Sequence, residues 1–184
     1  MIYPIVLYGD PVLKRKGQAI PQNDEEVQQT IDDMFETMEG ASGVGLAAPQ
    51  IGKSIRLFII DSTPTEDDPQ SGVREAFLNP EILKRTGAPE GYEEGCLSIP
   101  GVREHVNRPT KIQIKYYDRN WKEHVKEFEG MQARIIQHEF DHIDGVLFTD
   151  YLSSFKKRLL KGKLSNISKG RTDAEYRVKA PARR

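Results

Sequence analysis

Cysteine is almost missing from this chain. Cys96 stands alone among 184 residues, so no disulfide can form within it, and a reducing cytoplasm is the simplest compartment. Long hydrophobic runs are missing too. The nearest approach, residues 2–7, is broken by Pro4 and followed by its lysines, the reverse order for a secretory signal. Nothing comes near the roughly 20 apolar residues that span a bilayer, which argues against a helical membrane anchor and leaves no membrane partner to expect. Net charge is nearly absent at −1, so there is no global pull toward nucleic acid or lipid. Internal repeats and flexible linkers are also lacking. That leaves one catalytic domain, read as residues 1–168, and a polar basic C-terminal tail, 169–184, which should be mobile unless something holds it.

What is present fits a folded soluble protein: 37% of residues are hydrophobic and 30% charged. Val27, Ile31, Met34, Phe35 and Met38 recur at helical spacing, with Asn23 or Asp24 as a cap and Gly40 as a stop. "RLFIID" at 56–61 reads as a buried strand, "STPTEDDPQSG" at 62–72 as a surface loop, and "REAFLNPEIL" as two extended pieces around Pro80. In "KIQIKYYD", Ile112, Ile114 and Tyr116 alternate with Lys111, Gln113 and Lys115. After the turn "DRNW", residues 123–128 alternate again, which predicts a hairpin. A helix is predicted over 131–142. Another is predicted over about 152–167, with Leu152, Phe155, Leu159, Leu160, Leu164 and Ile167 inward. The pattern is α+β, with short antiparallel sheets around a central helix and a C-terminal helix.

The central helix carries the chemistry. In "IIQHEFDHIDG" at 135–145, His138 and His142 are one helical turn apart and can grip one ion from a single face. Glu139 points about 100° away, placed to touch a water on that ion rather than to share its coordination. Ile135, Ile136, Phe140 and Ile143 leave this helix little polar face, so it should be buried, and buried histidines need partners. Two ligands leave a catalytic site unfinished, because three protein donors and an open position are usual. The extended motif would place a third histidine where Phe148 stands, and the sole downstream glutamate, Glu175, lies in the tail. The third ligand should therefore come from upstream. Cys96, in "EGCLSIPG", is the best candidate, although a lone cysteine is more often a small buried hydrophobe. His105 and His124 sit among charged residues and read as surface.

"GVGLAAPQ" at 43–50, "EGCLS" at 94–98 and "QHEFDH" at 137–142, in that order, closely resemble the three motifs of peptide deformylases, in the bacterial form with a C-terminal helix. The resemblance runs from "DPVL" near the start to the C-terminal helix. It implies an α+β fold and a hydrolase that removes the N-formyl group from the N-terminal formyl-methionine of newly synthesised proteins, releasing formate. It further implies that Cys96, His138 and His142 bind one divalent metal, typically Fe²⁺, with Zn²⁺, Ni²⁺ or Co²⁺ able to substitute. Glu139 would serve as general base and acid, and Gln50 with the backbone N–H of Leu97 would stabilise the oxyanion. The implied substrates are nascent N-formyl-Met polypeptides.

Other residues read less sharply. Gly43 and Gly45 let the backbone run close to an extended peptide, or are plain turn glycines; Val44 and Ile135 are expected to line the methionine pocket. Lys156, Lys157, Arg158, Lys161 and Lys163 make the last helix basic. That is either a solvated face or, as the resemblance suggests, a contact for the ribosome. A metalloprotease and an inactive metal-holding ribosome-binding module are the competing readings. The second has no use for Glu139 and Gln50.

Overall fold

A computed structural model describes residues 1–182; the last two positions of the predicted tail, 183 and 184, lie outside the described residues. The strands are β1 (Ile5–Val6), β2 (Gly45–Ala47), β3 (Leu57–Asp61), β4 (Arg74–Cys96), β5 (Ile99–Tyr117), β6 (Glu123–Glu129) and β7 (Val178–Lys179). The helices are α1 (Val27–Gly40), α2 (Gly130–Ile143) and α3 (Ser154–Ser168). Strands β2-β3-β4-β5-β6 form one antiparallel sheet in that order, and β1 pairs with β7 in parallel. The fold is α+β, as expected. Instead of several short antiparallel sheets, one sheet with two long strands dominates.

Those long strands come from residues with weak local signals. β4 runs 23 residues through "KRTGAPEGYEEG", exposed along most of its middle. Its pairing with β5 holds it extended, with register shifts where Pro80 and the Gly87–Pro89 stretch interrupt the ladder. Buried Val102, Val106, Ile112 and Ile114 on β5 supply the apolar anchor that β4's middle lacks.

The helices pack as their spacing requires. Ile31, Met34 and Met38 of α1 pack with Leu46, Ile59 and Leu78 of the sheet. Ile136, Phe140 and Ile143 of α2 pack with Phe58, Phe77, Ile112, Ile114 and Tyr116. Every residue of α2 from Ala133 to Ile143 is buried, including Arg134, Gln137, His138, Glu139, Asp141 and His142. A helix interior does not keep six polar side chains out of water without partners for them.

One expectation for the C-terminal third needs correction, and one is resolved. The helical spacing predicts Phe155 and Leu159 inward, yet they are 62% and 69% exposed, while Leu152, Leu164 and Ile167 are buried. Nine residues of helix put Phe155 about 180° round from Leu164, so one apolar stripe cannot include both. The tail, expected to be mobile unless something held it, is held. After α3 it returns to the body, where β7 pairs with β1, and Ile5 N–H and Leu7 N–H donate to the carbonyls of Arg177 and Lys179 at 2.8 and 2.9 Å. Among the described residues no helix is long and apolar enough to cross a membrane.

Candidate metal centre

Two elements converge on one point. β4 ends at Cys96, and the two-residue turn Leu97-Ser98 reverses the chain into β5 with Cys96 paired to Ile99. α2 brings His138 and His142 one turn apart. One ligand atom from each of Cys96, His138 and His142 lies within 4.8 Å of the others, close enough to share one ion. Cys96 Sγ is 3.3 Å from His142 Nε2.

The donor set fits a borderline-soft divalent metal by its chemistry. One thiolate and two imidazoles are the chemistry that Zn²⁺ and Fe²⁺ accept. Among the described residues, two buried side-chain atoms have no protein partner: Glu139 Oε2, on the residue that follows His138, and His142 Nδ1, the ring nitrogen opposite the Nε2 that faces Cys96. Native interiors rarely leave such atoms unsatisfied except where an ion, water or substrate is expected.

A buried ionic network fixes His138. Its Nδ1 lies 2.9 Å from Glu94 Oε1, which leaves Nε2 as the ligand atom. Glu94 in turn accepts from Arg108 Nε and Nη2 at 2.7 and 2.9 Å and from Arg134 Nη1 at 2.7 Å. Arg108 also donates to Asp141 Oδ2 at 2.8 Å, and Tyr151 Oη donates to the same oxygen at 2.9 Å. Burial pushes the Glu94 carboxyl up, but His138 and Arg108 outweigh it and bring it down to about 2. Burial likewise works against the Arg108 cation, and its carboxylate partners reverse that.

Glu139 has the opposite environment. Its Oε2 accepts no hydrogen bond from the described residues, and burial raises its carboxyl to about 7, which suits a group that must both take and give a proton near neutrality. Its space is tight. A Cβ at position 45 would collide with the Glu139 carboxylate, and one at position 43 would meet Leu97 Cδ1. Gly45 therefore makes its close approach to Glu139. Gln50 is oriented too: its Oε1 accepts from Ala47 N–H at 2.9 Å, which turns its NH₂ toward Ser98 Oγ and Cys96 Sγ, 3.3 and 3.5 Å away.

Beside the cluster lies a cleft of about 1010 Å³. Gly43, Val44, Gly45, Gln50, Cys96, Leu97, Ile135, His138 and Glu139 all line it, so the residues singled out from the sequence, His142 apart, share one cavity wall. β2 is an edge strand of the sheet, paired among the described residues to β3 alone. Of the rival ligands, His105 is exposed, and His124 bonds Asp118 at 2.7 Å. A second candidate triple, Glu75, Asp118 and His124, is accounted for without an ion: Tyr116 Oη caps Glu75, and Asp118 closes the hairpin turn.

Sequence reasoning missed Arg108, Arg134, Asp141, Tyr151 and the role of Glu94. Arg134 and Asp141 could have been found, since both sit on a helix otherwise expected to be buried, where unpaired charge is costly.

A half-buried cysteine and two buried histidines beside an uncapped glutamate define a mononuclear metallo-hydrolase type of site. The polypeptide deformylase family model matches residues 2–158, and the chain belongs to that family. It is 59% identical over 184 residues to a peptide deformylase of Cytophaga hutchinsonii, covering 100% of each chain. A peptide deformylase of Christiangramia forsetii is 49% identical over 190 residues, covering 98% of this chain and 97% of the relative. Among solved structures, the Thermus thermophilus peptide deformylase superposes with TM-score 0.82 at 41% identity, covering 92% of this chain and 99% of that one. The Legionella pneumophila peptide deformylase gives 0.81 at 38%, covering 92% and 96%.

Proposed function

We propose that this chain is a metal-dependent deformylase that hydrolyses the formamide bond of N-terminal formyl-methionine on newly made polypeptides and releases formate. The observation that carries the reading is the pairing of Cys96, His138 and His142 with Glu139, whose carboxylate is buried, uncapped and raised to about 7 beside the cleft. The catalytic unit spans residues 1–168 with α2 and its H-E-x-x-H at the centre, and the tail from 169 is docked on it.

Cys96, His138 and His142 would hold one divalent ion, Fe²⁺ by family resemblance, with Zn²⁺, Ni²⁺ or Co²⁺ as substitutes. Such an ion, when bound, supplies Lewis acidity toward a carbonyl and acidifies water. The chain's own groups do the rest. Glu139 takes a proton from the attacking water and delivers it to the departing amine, and burial tunes it for both directions. The Gln50 NH₂ and the Leu97 N–H face the charge that develops on the formyl oxygen; one such donor is typically worth about 3–4 kcal/mol in the transition state. The free edge of β2, with Gly43, Val44 and Gly45, takes the peptide backbone as an added strand. Val44 and Ile135 line the pocket for the methionine side chain.

α3 is the segment assigned to ribosome contact. It exposes Phe155 and Leu159 beside Lys157, Arg158 and Lys161, while Lys156 is tied to Glu104 at 2.6 Å. Charge reversal at Lys157 and Lys161 should weaken co-sedimentation with ribosomes at low salt; unchanged co-sedimentation would remove this assignment.

The deciding assay offers formyl-Met-Ala-Ser and Met-Ala-Ser to protein purified without oxygen, with products read by mass. Formate and intact Met-Ala-Ser from the first peptide, with the second left whole, support deformylation. Cleavage between residues would make it a protease instead.

A further inference from the structure

The C-terminal segment does more than end the chain. It leaves α3 at Ser168, where Arg171 N–H bonds back to the Asn166 carbonyl at 2.9 Å, and β7 docks on β1. Between these two anchors, residues 171–176 run along the cleft and form part of its wall. Within that stretch Tyr176 reaches inward. Its hydroxyl donates to the Leu97 carbonyl at 2.7 Å, and Tyr176 and Leu97 both pack against the core cluster that includes Met34, Met38, Leu46 and Leu78.

The Leu97-Ser98 turn joins the ligand Cys96 to β5. Its second carbonyl, that of Ser98, accepts from Tyr8 N–H at 2.8 Å, just beyond β1. Ser98 Oγ accepts from Gln50. A turn of two residues is thus gripped at both carbonyls, one by the β1 segment and one by the segment that β1 itself holds in place. Two anchors fix the plane of a short turn, where one would leave it free to rock about the strand ends.

We propose that Tyr176 is a positioning residue: by holding the Leu97 carbonyl it fixes the Leu97-Ser98 peptide plane. With Cys96 paired to Ile99 on the other side, this restrains the Leu97 dihedrals and so the Leu97 N–H that faces the reacting oxygen. This rests on the reading of Leu97 as an oxyanion donor. Removing such a donor outright typically costs about 10²–10³ in kcat. Losing only its alignment costs a part of that.

The test is Tyr176→Phe in the full-length chain, which removes one oxygen and keeps the ring. The expected result is a fall in kcat of about 10-fold with KM for formyl-Met-Ala-Ser within about 2-fold, since donor alignment matters most in the transition state. The Co²⁺-loaded variant should keep the wild-type visible spectrum, because Cys96 and the histidines are untouched. Backbone ¹⁵N relaxation gives a readout that needs no turnover. The Leu97 and Ser98 order parameters should drop from the rigid range near 0.85 toward 0.6, with those of α2 unchanged. Unaltered relaxation at Leu97 and Ser98 overturns the proposal, as does an equal loss of order across α2. If the wild type releases no formate, the deformylase reading fails on its own, and the relaxation result still decides whether Tyr176 holds the turn.

Discussion

Replacing Glu94 by Gln is the most informative single perturbation, because one buried carboxylate serves three partners. Glu94 is 6% exposed and takes four charge-assisted contacts: two from Arg108, one from Arg134 and one from His138. Gln keeps the shape but offers one acceptor oxygen, and its NH₂ must face N–H donors. Breaking a buried ion pair from one side typically costs about 3–5 kcal/mol. Arg108 retains Asp141, and Arg134 retains the carbonyls of Val106 and Glu90, so the lower end applies. About 3 kcal/mol in a chain of this size lowers Tm by roughly 6–12 °C. Metal should be held about 10- to 100-fold more weakly, the usual penalty for losing the partner that orients a ligand histidine.

The pH dependence of that gap follows from the sign of the shift. The Glu94 carboxyl is brought down to about 2 in the folded state from an ordinary value of 4.5. Its contribution is therefore complete above about 4.5 and is lost as pH falls toward 2. Urea unfolding of metal-free wild type and Glu94→Gln should show the full difference at pH 7, and a shrinking one below about pH 4.5. A Tm change under about 2 °C at pH 7, with unchanged metal retention in chelator competition, would refute the reasoning.

Other substitutions separate the roles within the site. Glu139→Gln should abolish formate release while one equivalent of metal remains bound by elemental analysis, because the carboxylate is not among the ligands. Gln50→Ala should lower kcat by about 10²–10³ with metal content unchanged. Gly45→Ala drives a methyl into the Glu139 carboxylate, so activity should fall at least as far, with Tm reporting whether the strand itself survives. Ile135→Trp should erase the preference for formyl-Met over formyl-Gly peptides, since Ile135 lines the cleft one turn before His138; an unchanged preference would take Ile135 out of the pocket.

Legibility in the sequence followed the strength of local pattern. α1 and α2 were readable because a 3.6-residue period sustained over more than three turns suits a helix and not a strand. β6 was readable from its place after the turn "DRNW" and the alternating strand before it, although its apolar Val125 and Phe128 fall on opposite faces and Val125 is exposed. Much of β4, and β5 before Lys111, were not. The middle of β4 is exposed on both faces and stabilised by its partner, so it carries no periodicity of its own, and Pro80, Gly87 and Pro89 read locally as breaks. In β5 before Lys111 one buried face is split between Val102, Val106 and the charged Arg108, which hides the alternation. The same division runs through the site. His138 and His142 advertised themselves by spacing, whereas Cys96 needed the resemblance, because nothing local separates a ligand thiol from a buried one. Arg108 and Tyr176 stayed hidden for a further reason: each acts on residues 14 and 79 positions away, so their roles exist only in the folded chain.

The central claim is that Cys96, His138 and His142 hold one metal on which deformylation depends. Titrating metal-free protein with Co²⁺ under argon, while recording the visible spectrum and formate release from formyl-Met-Ala-Ser, tests it most directly. Both signals should rise together and saturate at one equivalent, and the thiolate-to-cobalt band should be absent in Cys96→Ala. Formate release that ignores the metal, or cobalt binding that leaves the Cys96 thiolate uninvolved, would contradict the account.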